Sequence, residues 1–565
     1  MSERLDKDSL YFLPLGGVNE IGMNLNLYGY GDQWLMVDLG TSFADEGMPG
    51  VDLVAPDVTW IAGRRERLLG IVLTHAHEDH LGAVSHLWNE LQCPVWATGF
   101  AASVLRRKLA EKGMENDVPI NIYRPGDTIE LGPFRIRSMS ITHSTPESQA
   151  LAIETPRGVV LHTGDWKLDP RPMLGPQTEV ETLRSYGDRG VLALVCDSTN
   201  VFNHGSSGSE GEVHDSLMKV LAGKPGRIAV TTFSSNLARL ETLIAVARHL
   251  DRHVCLIGRS LHRFIAAAQE NGYLQSIPNL VDERECGYLP REKVMYICTG
   301  CQGEPRGAMS RIAFGSHPHV VLSPDDTAVF SSKIIPGNER ALFRVHNELV
   351  SRGIEVITEK DAFVHVSGHP SRDELAEMYR LARPQIAIPV HGEPRHLVEH
   401  VRFAQSLQVP HGLVPRNGDL IRLAPGEPEV IEQVPAGRLA IDGEELVAVQ
   451  GGALAQRRKL AFNGAASISL VVDDKGYLLT APRVALTGVV NGDPEEIAAD
   501  IANDVAEAID NLGPGQQRND SSLEQTAIRT LRLGLRGLTG RKPTVQVHVI
   551  RLPQGQATGT AAAPA

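Results

Sequence analysis

Three features of this 565-residue chain predict an α/β fold spread over several domains. Between about residues 10 and 200, short apolar strands are punctuated by Gly and Pro turns. From 213 to 360, strands alternate with helices, the rhythm of a parallel sheet with helical cover. Histidine and aspartate recur just beyond predicted strand ends, where open α/β sheets collect their ligands. The length is too great for one core, so about three or four domains are expected.

In the first part, 1–212, the clearest strands are 35–38, 71–74, 136–142, 159–163 and 191–196, with a helix over 80–90. In 213–360 the strands 227–232, 253–257, 294–299, 327–331 and 354–358 alternate with helices near 236–250, 260–271 and 338–352. The part 361–425 offers strands 362–366 and 385–390 around a helix over 371–382. Residues 426–455 are low in pattern and read as a linker. The part 456–552 carries helices over 495–510 and 522–538 and a closing alternating strand, 544–549. The tail 553–565 is too poor in apolar bulk to fold and is expected to be disordered.

Apolar content of 42% and charged content of 22% are ordinary for a globular protein. No run of about 18 apolar residues offers a membrane span, and the mixed-charge start lacks a signal peptide's apolar core. Six scattered cysteines make no disulfide framework, so a reduced, cytoplasmic setting without membrane contact is expected. Cys298 and Cys301 have redox-motif spacing, but no second pair completes a zinc knuckle, and they read as neighbouring thiols at a strand end. A net charge of −13 argues against a uniformly basic surface. A local groove with bound metal could still attract nucleic acid, so the substrate must be read from the site.

That site announces itself at 75–80, His-Ala-His-Glu-Asp-His, directly after the apolar run 71–74. Imidazole and carboxylate are ligands for zinc or manganese. A tight turn can aim His75 and His77 at one ion while Asp79 and His80 face a second. Two ions need about seven or eight protein ligands. His143, Asp165 and His391, each just beyond a predicted strand, are the candidates. A carboxylate such as Asp165 can bridge ions about 3.5–4 Å apart. Water held between them, its pKa lowered toward about 7, is a hydroxide nucleophile suited to a phosphodiester.

The string His75-x-His77-x-Asp79-His80, with His143 and with Asp165 in Thr-Gly-Asp-Trp, resembles the metallo-β-lactamase superfamily of hydrolases. The segment 15–24 with Asp38 looks like that superfamily's first hairpin. The resemblance implies an αβ/βα sandwich, split into 1–212 and 361–425 around an inserted β-CASP α/β domain, 213–360, and followed by a small C-terminal α/β domain. The β-CASP motifs fit Asp197 in Cys-Asp-Ser-Thr-Asn, His369 in His-Val-Ser-Gly-His and His391 in Val-His-Gly-Glu. Within that group the chain is similar to the bacterial ribonuclease J family over roughly 8–552, carried by 299–304, 330–339 and 365–369. Cys301 departs from the family, which usually has Ser there.

The resemblance implies two zinc ions per subunit, with Mn2+ as the alternative. His75, His77 and His143 would hold one; Asp79, His80 and His391 the other; Asp165 would bridge, and Asp38 would orient the ligand loops. Asp79 and Asp197 would join the catalytic group, and His369 would stabilise charge or protonate the leaving oxygen. Ser234, Ser235 and Asn236, with His365, Val366, Ser367, Gly368 and His369, would hold the 5′-monophosphate of single-stranded RNA. The implied activity is 5′-to-3′ exonuclease with some endonuclease action, in rRNA processing and mRNA decay. A homodimer or homotetramer through the C-terminal domain is implied, with RNA-decay or ribosome-associated proteins as further partners. A DNA nuclease would tend to carry Val at His391, a small-molecule lactam or thioester hydrolase would lack the insertion, and a non-catalytic subunit would lose ligands.

Overall fold

The computed structural model describes residues 5–552 except 46, 276, 279 and 336. The expected disordered tail, 553–565, therefore lies outside the described residues. The chain divides into two compact units, Met1–Ser42 with Leu53–Leu439 and Phe43–Asp52 with Ala440–Ala565.

The first unit is built on two face-to-face sheets. One, of eight strands, runs from Glu429–Gln433 through Asp419–Ala424, Leu10–Gly16, Leu25–Tyr30, Gln33–Val37 and Leu68–Val72 to Val95–Ala97 and Ile120–Ile122. The other has seven strands, with Gly158–His162, Val191–Asp197 and Pro384–Val390 parallel at its centre. Leu10, Phe12, Tyr28 and Val72 of the first sheet share one core with Ile153, Val160, Val195 and Ile388 of the second. The outer face of the second sheet is covered by Val180–Arg189 and Arg372–Ala382, through Leu183, Tyr186, Leu375 and Met378. Strands buried on both faces explain why these segments read as continuous apolar runs.

Between Asp197 and Pro384 the chain builds a separate five-stranded parallel sheet, ordered His253–Ile257, Val294–Cys298, Ile228–Thr231, Thr327–Phe330, Glu355–Ile357. The expected strand–helix alternation appears there element by element, with helices Leu237–His249, Arg259–Glu270 and Glu339–Ser351. All six cysteines are free and buried, and burial pushes the Cys301 thiol up to about 12. Cys298 and Cys301 are thus inert packing thiols at a strand end, as their isolation suggested.

Two expectations on local structure need correction. Residues 362–366 form no strand; they run as a loop whose Val364 carbonyl accepts from Arg239 Nη1 at 3.1 Å and Ser331 Oγ at 2.7 Å. Side chains satisfy this backbone instead of a sheet neighbour. Residues 426–455 contain the strands Glu429–Gln433 and Glu445–Ala448 and begin the helix Gly452–Asn463. Every position of Glu429–Gln433 is exposed, so no apolar alternation marks it.

The second unit centres on Ala465–Val472, paired with antiparallel Arg483–Thr487 and parallel Thr544–Arg551. Ile468, Leu470 and Val472 pack with Val505, Ile509, Leu523 and Leu531 of helices Pro494–Asp510 and Asp520–Thr539.

Arg239 is wholly buried and ties several elements of the first unit together. Its Nε and Nη2 reach both carboxylate oxygens of Glu210 at 2.6 and 3.0 Å, while Nη1 serves the Val364 carbonyl and Ser331. Arg239→Met strands the buried Glu210 carboxylate and should cost about 3–5 kcal/mol. Urea unfolding checks this, and adding Glu210→Gln should recover much of the loss.

Candidate metal centre

The strand Leu68–Val72 delivers the six-residue string to one rim of the sandwich. The Thr74 amide and hydroxyl each donate to Asp38 at 2.8 Å, which fixes the turn. His77 stays extended, and Glu78 then opens the short helix Glu78–Leu81, which carries Asp79 and His80; the His80 ring lies against that of His75, centroids 4.0 Å apart. A Cβ on Gly40 would sit 1.7 Å from the Asp79 carbonyl oxygen, so only glycine lets this turn pack so closely. The second sheet contributes His143, Asp165 and His391 beyond Phe134–Ser140, Gly158–His162 and Pro384–Val390. Asp38 and His391 hold left-handed backbone, φ +63° and +52°, the strain that side-chain placement at sites demands.

The seven expected ligands meet in two groups that share Asp165: His75, His77, His143, Asp165 and Asp79, His80, Asp165, His391. In the first group, Nε2 of His75 and of His143 each lie 3.1 Å from Nδ1 of His77. Donors about 2.0–2.1 Å from one tetrahedral zinc lie about 3.3 Å apart. In the second, Asp79 Oδ2 is 3.1 Å from His391 Nε2, and Asp165 Oδ2 is 3.2 Å from His80 Nε2. A third grouping, Asp165, Asp197, His369 and His391, is also tight. Asp197, however, already accepts from the Thr199 amide, the Thr199 hydroxyl and His369 Nδ1, at 2.7–2.8 Å.

The second ring nitrogens explain why the first group fits a cation. His75 Nδ1 donates to Thr74 Oγ1 at 3.0 Å, and His77 Nε2 to Ser144 Oγ at 3.3 Å. His80 Nδ1 donates to Asp38 at 2.7 Å, His143 Nδ1 to the Gly368 carbonyl at 2.7 Å, and His391 Nδ1 to Thr199 Oγ1 at 2.8 Å. For His75, His77 and His143 the outer partner fixes a tautomer that leaves a lone pair facing inward. Three such lone pairs around one point repel unless a cation sits among them.

Electrostatics divides the two groups. Burial holds His75 and His143 well below the usual imidazole range, helped by neighbouring imidazoles, and lowers His77 to about 4. Burial would do the same to His80 and His391, but Asp165 and nearby carboxylates outweigh it and raise both well above that range. Burial likewise works against an ionised Asp165, yet His391, His80 and His369 hold it well below the usual carboxylate range.

His369 stacks on His391, with ring centroids 5.3 Å apart, and its Nδ1 donates to fully buried Asp197 at 2.7 Å. That leaves Nε2 as the atom able to meet a substrate. Asn236, Val366, Ser367 and Gly368 line a small cleft beside His143, whereas Ser234, Ser235 and His365 are not on its wall. Asn236 Oδ1 also caps Leu237–His249, and Ser367 Oγ accepts from Asn200 Nδ2 at 2.8 Å. His365 contacts Arg239 instead, 3.4 Å from Nη1. Sequence reasoning missed Thr74, Ser144 and Thr199 as outer partners. It also missed Asn24, whose amide lies 3.0 Å from the Asp79 carbonyl and from His80 Nε2. A lone hydroxyl carries no pattern, and only proximity to a ligand could have flagged Thr74 and Ser144.

A Cβ on Gly368 would approach His143 Cε1 to 2.7 Å and Nδ1 to 2.9 Å. Gly368→Ala should therefore push the His143 ring out of its group and weaken metal binding about 10–100-fold, the scale of a lost outer partner. Metal analysis after dialysis against graded chelator checks this.

Four family models match the chain: "Metallo-beta-lactamase superfamily" over residues 24–194, "Ribonuclease J, beta-CASP domain" over 225–349, "Zn-dependent metallo-hydrolase RNA specificity domain" over 353–410 and "Ribonuclease J C-terminal domain" over 452–552. The chain is 43% identical over 551 residues to a Sinorhizobium meliloti protein named Ribonuclease J, covering 96% of this chain and 98% of that one. A Synechocystis protein of the same name is 37% identical over 495 residues, covering 87% and 77%. A solved Enterococcus faecalis protein of unknown function, 17% identical, shares the fold with a TM-score of 0.51 over 73% of this chain and all of its own. Identity of this extent over nearly the whole length, with both β-CASP and C-terminal models matched, places the chain in the ribonuclease J family.

Proposed function

We propose that this chain, a metal-dependent ribonuclease, removes nucleotides from the 5′ end of single-stranded RNA, favours 5′-monophosphate ends and also cleaves internally. One observation carries the reading: the buried Asp165 carboxylate belongs to two donor groups at once, with His369 stacked beside them. His75, His77, His143 and Asp165 would hold one ion, and Asp79, His80, Asp165 and His391 the other. The nitrogen-rich set favours Zn2+, with Mn2+ as the alternative. When bound, such a pair supplies Lewis acidity to a phosphodiester and acidifies water enough to deprotonate near neutral pH.

The remaining chemistry belongs to the side chains. The Asp79 side chain is 29% exposed and the Asp165 side chain 3%, so Asp79 is the shared group's carboxylate that water reaches. It orients the attacking water. Burial would lower His369, but Asp197 and Asp165 raise it, which favours the protonated ring. Its Nε2 can then protonate the leaving oxygen while Asp197 steadies the imidazolium through Nδ1. Asp197 is thus a positioning residue. The cleft of Asn236, Ser367 and Gly368 holds a terminal phosphate and sets the first phosphodiester against His143 and its partners. Removal then proceeds one end-nucleotide at a time. Subunits associate through the C-terminal unit.

Protein loaded with zinc or manganese should degrade 5′-monophosphate RNA faster than 5′-triphosphate RNA and leave single-stranded DNA largely intact. Preference for DNA, or for the triphosphate end, would overturn this reading. Asp79→Asn and His80→Ala should abolish cleavage, and chelation should do so reversibly. His369→Gln should retain metal and lose about 10²–10⁴ in kcat, the usual share of a general acid, as read from single-turnover rates.

A further inference from the structure

We propose that the sandwich carries a second RNA-binding site at the rim opposite the metal-competent groups, where Lys7, Arg64, Arg65 and Arg67 gather beside Trp34 and Trp60 and hold single-stranded RNA outside the catalytic centre. The inference rests on the ribonuclease activity and not on which 5′ end is preferred. A cleft of about 620 Å³ lies at this rim, lined by Lys7, Asp32, Trp34 and the turn 62–67. A volume of that size admits one nucleotide.

Strands Gln33–Val37 and Leu68–Val72 run parallel, and the cleft sits where both begin. Both strands lead away from it, one to Asp38 and the other to His75. Residues 68–74 span about 20 Å of nearly extended chain. The two sites therefore occupy opposite ends of one sheet, and a single RNA can engage both only if it is long enough to pass around the sandwich.

Four cations line the cleft against two carboxylates, Asp32 and Glu66, in a chain of net charge −13. Positive potential is thus concentrated at one place on an acidic protein. Arg67 Nη1 meets Asp32 Oδ1 at 2.5 Å, and Arg64 Nη1 donates to the Trp60 carbonyl at 2.9 Å. Lys7 and Arg65 are exposed, and among the described residues neither side chain has a protein partner. Their charges are free for phosphates. Arg64 also lies over the Trp60 ring, 4.2 Å from its centroid, and Trp34 meets Trp60 edge-on at 5.0 Å. An arginine backed by an indole is a platform for an unstacked base. An acidic peptide would satisfy the cations but has no base for that platform. Held there, a long RNA binds the metal centre as a linked second event, which raises its overall affinity.

The test compares single-stranded RNAs of about four and about 40 nucleotides, the shorter spanning only ~14 Å at ~3.4 Å per stacked nucleotide. Equilibrium binding is measured in chelator over a range of salt, and decay is followed with metal-loaded protein. Wild type should bind the long RNA more tightly than the short one. Lys7→Gln/Arg65→Gln should weaken long-RNA binding about tenfold near ~0.1 M salt and flatten the plot of log K against log salt by about 1.4, two phosphate contacts on a single strand. Binding and decay of the short RNA should not change. Lys219→Gln/Arg248→Gln, which removes two exposed cations from the inserted domain, is the control and should leave the long-RNA slope nearly as it is. Equal losses in the control, equal losses for both RNA lengths, or an unchanged slope in Lys7→Gln/Arg65→Gln would each overturn the proposal. Unchanged RNA binding with lost binding of polyglutamate would assign the cleft to an acidic peptide instead.

Discussion

The carboxylate of Asp165 is the point on which the site turns. Its side chain is 3% exposed, and every tight cluster of metal-competent groups among the described residues includes it. An ionised carboxylate so deeply buried is costly unless positive charge surrounds it. In the protein alone that charge is drawn from His80, His391 and His369, which neighbouring carboxylates hold in favour of protonation. Two divalent ions would supply the same compensation from the centre, so metal entry would release protons from His80 and His391. His75, His77 and His143 need no such exchange, because burial already keeps them neutral.

Rigidity comes from the layer outside the ligands. Asp38 takes the Thr74 amide and hydroxyl and the His80 ring with its two oxygens, so one residue sets the turn and a ligand's tautomer together. The Gly368 carbonyl does the corresponding work for His143 from a loop 225 residues further along. That loop is held by Arg239, which is paired with Glu210. The geometry of a metal ligand is thereby linked through packed, hydrogen-bonded groups to the inserted sheet. The same loop carries His369, so the placement of the His143 ring and of the His369 ring depends on one stretch of backbone.

How much of this was legible in sequence follows from how local each signal is. His75 to His80 stand together, and their density in six positions exposed them. His143, Asp165 and His391 were legible because each follows an apolar strand. The alternation of 213–360 gave its sheet almost element by element. Residues 362–366 misled because Ala362, Val364 and Val366 alternate as a strand would, while the partners of that backbone are the Arg239 and Ser331 side chains. The helix Glu210–Leu221 passed unnoticed although Ser209 and Glu212 form a capping box that the sequence displays. Ser234 and Ser235 were drawn toward the phosphate by their place at a helix start; in the fold only Asn236 of that trio lines the cleft.

The register of the central strands explains why so large an insertion leaves the site intact. Val191–Asp197 and Pro384–Val390 are neighbours in one sheet, and Asp197 pairs with Val390, the residue before His391. The sheet therefore closes as though the 186 residues between Asp197 and Pro384 were a loop, and closure entropy rises only as the logarithm of loop length. Whatever the insertion builds, its two ends must leave and re-enter at the rim where the ligands gather. The re-entering loop consequently places groups beside the clustered histidines from outside the sandwich. Gly368, His369 and Ser367 occupy it, and Asn200 beyond the outgoing strand bonds both the Ser367 hydroxyl and the His369 carbonyl. The sandwich thus gathers the metal-competent groups, and the crossing into and out of the insertion places Ser367, Gly368 and His369 beside them.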